Sequence, residues 1–150
     1  MSNNILNEAT QLIQVFEGFE SKPYQDSADI WTVGIGFTIW NHKPVTQYYP
    51  SEVSSEESSS YLETLVSNLN VKLLEDITVS LTDNQNVALL SFCYNIGIEA
   101  FRNSTMLKDI NEGDFSSAAN EFPKWNQSAG KVVQGLVTRR SIEQKRFMTS

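Results

Sequence analysis

The sequence has very few of the side chains that most often bind metals or act as nucleophiles, since it contains one cysteine and one histidine. A single cysteine excludes a disulfide within the chain. Cys93 lies in an apolar helical stretch, where we expect a buried thiol rather than a nucleophile. His42 alone cannot supply a His-rich metal site or a His-based catalytic triad. We therefore predict no metal and no cofactor.

Basic residues and long apolar runs are also scarce. The formal net charge of −7 argues against a nucleic-acid partner, because affinity for phosphate depends on Lys and Arg. The most apolar run, residues 30–40, is interrupted by threonine and glycine and is too short to span a bilayer. The N-terminus lacks the basic and apolar regions of a signal peptide. We expect a monomer made in soluble form in the cytoplasm, without membrane insertion. Another factor would have to release it if it acts elsewhere.

The N-terminal part of the chain predicts a helix, a small sheet and a second helix. Apolar residues recur at helical spacing over 5–16, which places Glu17 in the last turn and Gly18 near its end. Residues 21–40 are typical of a β-hairpin or a three-stranded sheet, and a loop follows. A leucine-rich helical pattern then extends to about Asp76. This helix is long enough to connect two lobes.

The remaining part, from about residue 80, predicts mostly helices. Thr82 and Gln85 fit a capping box that opens an almost wholly apolar, central helix. The last helix runs from about 135 to 148, with Ile142 facing inward and Arg139 and Arg140 mostly outward. The expected architecture is α+β in one domain, 1–150, with a sheet lobe at about 18–60. The helical lobe comprises about 80–150 and the N-terminal helix, and we expect a ligand cleft between the lobes.

Two carboxylates and a hydroxyl stand out in the segment EGFESKPYQDSADIWTVGIGF. Glu17 is at a helix end, Asp26 is in a turn-rich segment, and Thr32 opens a short strand with two glycines. Acid-catalysed sugar cleavage needs one carboxyl that donates a proton and a second that stays ionised. Taken singly, each residue is typical of a solvated helix end, a turn or a strand, so the prediction depends on the combination.

The chain resembles the phage-type lysozymes of glycoside hydrolase family 24, which include endolysins of tailed phages. The first motif is the spacing E-x8-D-x5-T, met by Glu17, Asp26 and Thr32 within EGFESKPYQD and WTVGIG. The second is FCYNIGIEAFRNSTML, and the third is GDFSSAANEFPKW followed by GLVTRRSIE. The order of the three motifs matches the family. The chain departs from it at Phe37, where the family usually has histidine.

This resemblance implies a lysozyme-like fold and hydrolysis of the β-1,4 bond between N-acetylmuramic acid and N-acetylglucosamine in peptidoglycan. Glu17 is then similar to the general acid, Asp26 to the carboxylate that directs the attacking water or stabilises the sugar cation, and Thr32 to the hydroxyl that holds this water. Ser104 matches a motif position that faces the cleft of the family, and Tyr94 is a neighbouring aromatic in a similar place, so we expect both to bind the substrate. The partner would be peptidoglycan glycan strands.

Two other functions fit the same residues. A catalytically silent glycan-binding or structural module would keep the fold and release no reducing ends from peptidoglycan. A lytic transglycosylase would cleave the same bond without water and form an anhydro sugar. The family comparison favours an inverting hydrolase, in which the two carboxyls are roughly 6.5–9.5 Å apart.

Overall fold

The computed structural model describes the backbone of residues 3–150 and the side chains from residue 4 onward. This part of the chain divides into two compact units. The sheet unit is Thr10–Leu65, and the helical unit is Val66–Ser150 with the described residues before Thr10. The division falls inside the first helix and inside the long helix.

The sheet unit carries two short antiparallel ribbons between helical segments. Its elements are α1 (Asn3–Glu17, shared with the helical unit), β1 (Glu20–Gln25), β2 (Trp31–Gly34), β3 (Ile39–Trp40), β4 (Lys43–Pro44) and the start of α2 (Ser55–Asp76). In the first ribbon Tyr24 lies opposite Thr32, and Gln25 opposite Trp31. The predicted first helix, hairpin and long helix are confirmed. The β4 strand was missed, because the residues after 40 were assigned to a loop. Asn41 and His42 both have positive φ and form the tight turn that joins β3 to β4.

The helical unit is built around an apolar helix, as predicted. Its further elements are α3 (Asp83–Ile96), α4 (Ile98–Arg102), α5 (Thr105–Asn111), α6 (Phe115–Ala119), a 3-10 helix (Phe122–Lys124), β5 (Gln127–Ser128), β6 (Lys131–Val132) and α7 (Gln134–Phe147). The capping box of α3 is present, with Thr82 accepting from the Gln85 backbone N–H and Gln85 returning the bond. Residues 86–93 of this helix are all buried. The prediction that Cys93 is buried is confirmed.

The prediction for the last helix is wrong at three positions. Arg139 and Arg140, expected outward, are 4% and 1% exposed, whereas Ile142, expected inward, is 42% exposed. Both arginines lie on the fully buried carboxylate of Glu143, which they contact at 3.1 and 2.5 Å. The predicted outward orientation is wrong because a carboxylate on the same helix, three and four residues later, compensates their charge inside the core.

Within residues 3–150 no helix combines the length and hydrophobicity needed to cross a bilayer.

Candidate active site

Glu17 is the last residue of α1 and belongs to the sheet unit. The helix ends there because Gly18 adopts a φ of +73° while its N–H donates to the Gln14 carbonyl at 2.9 Å. The Glu17 carboxylate, which is only partly exposed, lies directly against the backbone of Gly36. A Cβ atom at position 36 would be 2.9 Å from Glu17 Oε1. The second glycine of the WTVGIG segment therefore makes room for this carboxylate.

Asp26 follows β1 directly and is held in a tight connection to β2. Its Oδ1 accepts the backbone N–H groups of Ala28 at 2.8 Å and Ile30 at 2.9 Å. Its own N–H donates to the Ile30 carbonyl at 2.9 Å, and Asp29 N–H donates to the Asp26 carbonyl. Asp26 is thus a turn residue, and the same bonds fix its carboxylate through one oxygen. Its other oxygen, Oδ2, accepts no hydrogen bond from residues 4–150.

Thr32 hydrogen-bonds to the same residue as Asp26, namely Ile30. Its Oγ1 donates to the Ile30 carbonyl at 2.9 Å, while the Ile30 N–H donates to Asp26. With its proton used in this way, the hydroxyl oxygen presents lone pairs that can accept a hydrogen bond. The side chain is 3% exposed.

The two carboxylates share a neighbourhood around Tyr24, the residue opposite Thr32. Burial raises the pKa of the Tyr24 phenol above its ordinary value, and the negative charges of Glu20, Asp26 and Glu17 raise it further. Sequence reasoning did not single out Tyr24. The available signal was its spacing of two residues from Asp26 at the end of a strand, which places side chains on one face.

The other distinctive positions of the WTVGIGF segment have structural roles. A Cβ atom at Gly34 would be 2.5 Å from Ser58 Oγ, so this glycine allows β2 to pack closely against Ser58 of α2. Phe37, where the family usually has histidine, is buried and packs edge-on against Tyr61 at 4.7 Å between ring centroids. Trp40 completes this aromatic cluster at 5.0 Å from Tyr61. The side chain at position 37 therefore packs in an apolar, aromatic cluster.

Tyr94 and Ser104 belong to the helical unit. Tyr94 is a partly exposed residue of α3. Ser104 is the N-cap of α5, where its hydroxyl accepts the Leu107 N–H at 3.1 Å and donates to the Phe101 carbonyl at 2.6 Å. Ser104 therefore caps the start of α5. Contact of either residue with a substrate stays a prediction.

Among the residues that the structure describes, no group of three or more His, Cys, Asp or Glu side chains is placed to hold an ion. Cys93 is also unsuited to nucleophilic chemistry, because burial, followed by the charges of Glu143 and Asp76, raises the pKa of its thiol well above the usual range. The reactive groups on the sheet unit are therefore the carboxyls and hydroxyls described above.

Comparison with known proteins gives the family of this site. A family model described as phage lysozyme matches residues 14–143. The endolysin of Bacillus phage B103 is 38% identical over 153 residues, which cover 97% of this chain and 54% of that protein. The structure of an endolysin from Escherichia coli O157:H7 phage FAHEc1 superposes with a TM-score of 0.86 at 33% identity, covering 94% of this chain and 90% of that one. The muramidase domain of SpmX from Asticaccaulis excentricus has a TM-score of 0.81 at 31% identity, with 95% of each chain covered.

The chain belongs to the phage lysozyme family. The predictions of this family and of a lysozyme-like α+β fold are confirmed. Membership also supports the predicted class of enzyme, a glycoside hydrolase. The chain spans about half the length of the Bacillus phage endolysin that it matches.

Proposed function

We propose that this chain is the catalytic domain of an endolysin, a muramidase that hydrolyses the β-1,4 bond between N-acetylmuramic acid and N-acetylglucosamine in peptidoglycan. In this proposal residues 1–150 act as one catalytic domain that works as a monomer. The substrate is the glycan strand of the bacterial cell wall. The domain is made in soluble form and reaches the wall after release by another factor.

The proposed reaction uses three side chains of the sheet unit. Glu17 donates its proton to the glycosidic oxygen, which leaves with the sugar on one side of the bond. Asp26 is ionised, stabilises the positive charge that develops on the other sugar, and accepts a proton from the attacking water. Thr32 accepts a hydrogen bond from this water and so fixes its direction. Water adds across the broken bond, and proton return to Glu17 completes the cycle.

One observation carries the proposal: Asp26 and Thr32 both hydrogen-bond to Ile30, and the Glu17 carboxylate lies against Gly36, four residues after Thr32. The two acids and the hydroxyl, which are separated along the chain, thus belong to one small region. A glycan-binding module without activity has no need for a second acid anchored in this way.

The first test is Glu17→Gln, assayed by clearing of a turbid suspension of purified cell walls. We expect the rate to fall about 10³-fold or more, because glutamine keeps the shape of the side chain but its amide is not acidic enough to protonate the leaving oxygen. The far-UV circular dichroism spectrum should match that of the wild type, which excludes misfolding as the cause. Normal clearing by this variant would eliminate Glu17 as the general acid and the mechanism with it.

Asp26→Asn and Thr32→Ala test the two roles on the water side. Asparagine keeps the hydrogen bonds from Ala28 and Ile30 but cannot accept the water proton, so we expect a severe loss of activity, smaller than that for Glu17→Gln. Thr32→Ala should reduce the rate only in part, because Asp26 still directs the water. An unchanged rate for Thr32→Ala would remove its role in holding water.

A further inference from the structure

The phenol of Tyr24 lies among the groups of the proposed reaction. Tyr24 and Thr32 are direct partners in the antiparallel ribbon β1–β2, so their side chains extend from the same face. Asp26 follows two residues later, where the strand ends and the turn to Ile30 begins. Tyr24 is partly exposed, whereas its partner Thr32 is buried. The two side chains are therefore neighbours on one face of the ribbon, and Tyr24 is the more exposed of the two.

The Tyr24 hydroxyl has no hydrogen-bond partner among residues 4–150. This distinguishes it from Tyr49 in the same unit, whose hydroxyl donates to the Trp40 carbonyl at 3.0 Å. A phenol that is partly removed from water usually satisfies its hydroxyl within the protein when its role is structural. An unused donor beside two carboxylates is instead available to a ligand.

The surroundings also keep this phenol in its neutral form. Burial raises its pKa, and the charges of Glu20, Asp26 and Glu17 add to the effect, since a phenolate would be repelled by each of them. The hydroxyl is consequently a donor over the whole range in which a glycosidase works. It cannot serve as a base there, and it brings no further negative charge next to the acids.

We propose that Tyr24 is a substrate-binding residue whose hydroxyl donates a hydrogen bond to an oxygen of the sugar held over Asp26 and Thr32. This inference rests on the proposed function and adds a residue to it. The phenol orients the sugar so that the bond to be broken faces Glu17, and its ring supplies an apolar surface against the sugar. An oxygen-rich saccharide matches a site that combines this donor with the acceptors on Asp26 and Thr32.

The kinetic test compares Tyr24→Phe with the wild type on soluble glycan strands prepared from peptidoglycan. Phenylalanine keeps the ring and removes only the donor, so we expect kcat/KM to fall about tenfold with an unchanged melting temperature. The matched control is Tyr48→Phe, at a residue of the same unit that is 83% exposed, and it should leave both quantities unchanged. Wild-type kinetics for Tyr24→Phe would overturn the inference.

A second measurement does not depend on whether Tyr24→Phe folds. Isotope-labelled tyrosine in the Glu17→Gln chain is followed by NMR while a tetrasaccharide of alternating N-acetylglucosamine and N-acetylmuramic acid, with its stem peptides, is added. We expect the Tyr24 ring signal to shift on binding and its titration to move to higher pH, because the bound proton is then shared with a sugar oxygen. A Tyr24 signal that stays in place while the ligand binds would contradict the proposal.

These outcomes separate the inference from the function on which it rests. Cell-wall clearing by Glu17→Gln would remove the proposed function, whatever Tyr24 does. Loss of clearing in Glu17→Gln together with normal kinetics in Tyr24→Phe would remove only the role of Tyr24.

Discussion

The carboxylate of Glu17 leaves no room for a side chain at Gly36, which has a φ of +76°. The glycine therefore does two things at this position, since it adopts a conformation that other residues avoid and it lets the carboxylate reach the backbone. We infer that Gly36 sets the position of the proposed proton donor. A change here should affect activity more than it affects the fold.

We predict that Gly36→Ala lowers the rate of cell-wall clearing about 10²-fold, because the added methyl group displaces the Glu17 carboxylate from its reactive position. The positive φ alone should destabilise the fold by roughly 1–2 kcal/mol. Urea unfolding and the clearing assay measure the two effects separately.

Gly113→Ala is the matched control, because Gly113 has a φ of +78° and nothing within 4 Å of its Cβ position. It should lose similar stability and keep its activity. Equal activity in the two variants would show that Gly36 has only a conformational role.

Single residues also show what a sequence can and cannot disclose. The end of α1 at Gly18 and the capping role of Thr82 were predictable, because both depend on residues within four positions. The reason for Gly36 was not, since the atom that it must avoid is 19 residues earlier in the chain.

At the scale of elements, α3 and α7 of the helical unit are joined by a buried polar network. Glu143 accepts from Ser91 Oγ at 2.5 Å and binds both Arg139 and Arg140. Arg139 also donates to the Ser91 carbonyl at 2.8 Å. Arg140 reaches further, to the carbonyl of Trp125 and the side chain of Asn95. Burial lowers the pKa of the Arg140 guanidinium, and the charge of Glu143 opposes this shift.

We predict that Glu143→Gln destabilises the fold by about 3–5 kcal/mol, because two buried guanidinium groups lose their compensating charge. The midpoint of urea unfolding should fall accordingly. The control is Glu99→Gln, which breaks the exposed ion pair to Arg102 and should change the midpoint little. Equal, small shifts in both variants would contradict the account of this network.

The same network explains why the prediction for α7 was wrong. The pattern of α7 placed Ile142 inward and the two arginines outward, which is the usual arrangement for an amphipathic helix. The partners that reverse it, Ser91 and Trp125, lie on other elements and are invisible to a periodic pattern. The α4 helix and the β5–β6 ribbon were missed for a simpler reason, since strands of two residues and a helix of five carry little periodicity.

For the whole molecule, the fold and family were predictable because three motifs in the right order extend over most of the chain, and the comparisons agree. All three proposed catalytic residues belong to the sheet unit, while Tyr94 and Ser104 belong to the helical unit. In this proposal the bond-breaking chemistry lies on the 56 residues Thr10–Leu65. The central claim is that water, directed by Asp26, replaces the sugar that Glu17 releases.

The most direct test of this claim is mass spectrometry of peptidoglycan digested by the wild type in heavy-oxygen water. The account predicts that every new muramic acid end carries one oxygen from the solvent, and that Glu17→Gln yields no new ends. Anhydro ends without solvent oxygen, or new ends formed by Glu17→Gln, would contradict it.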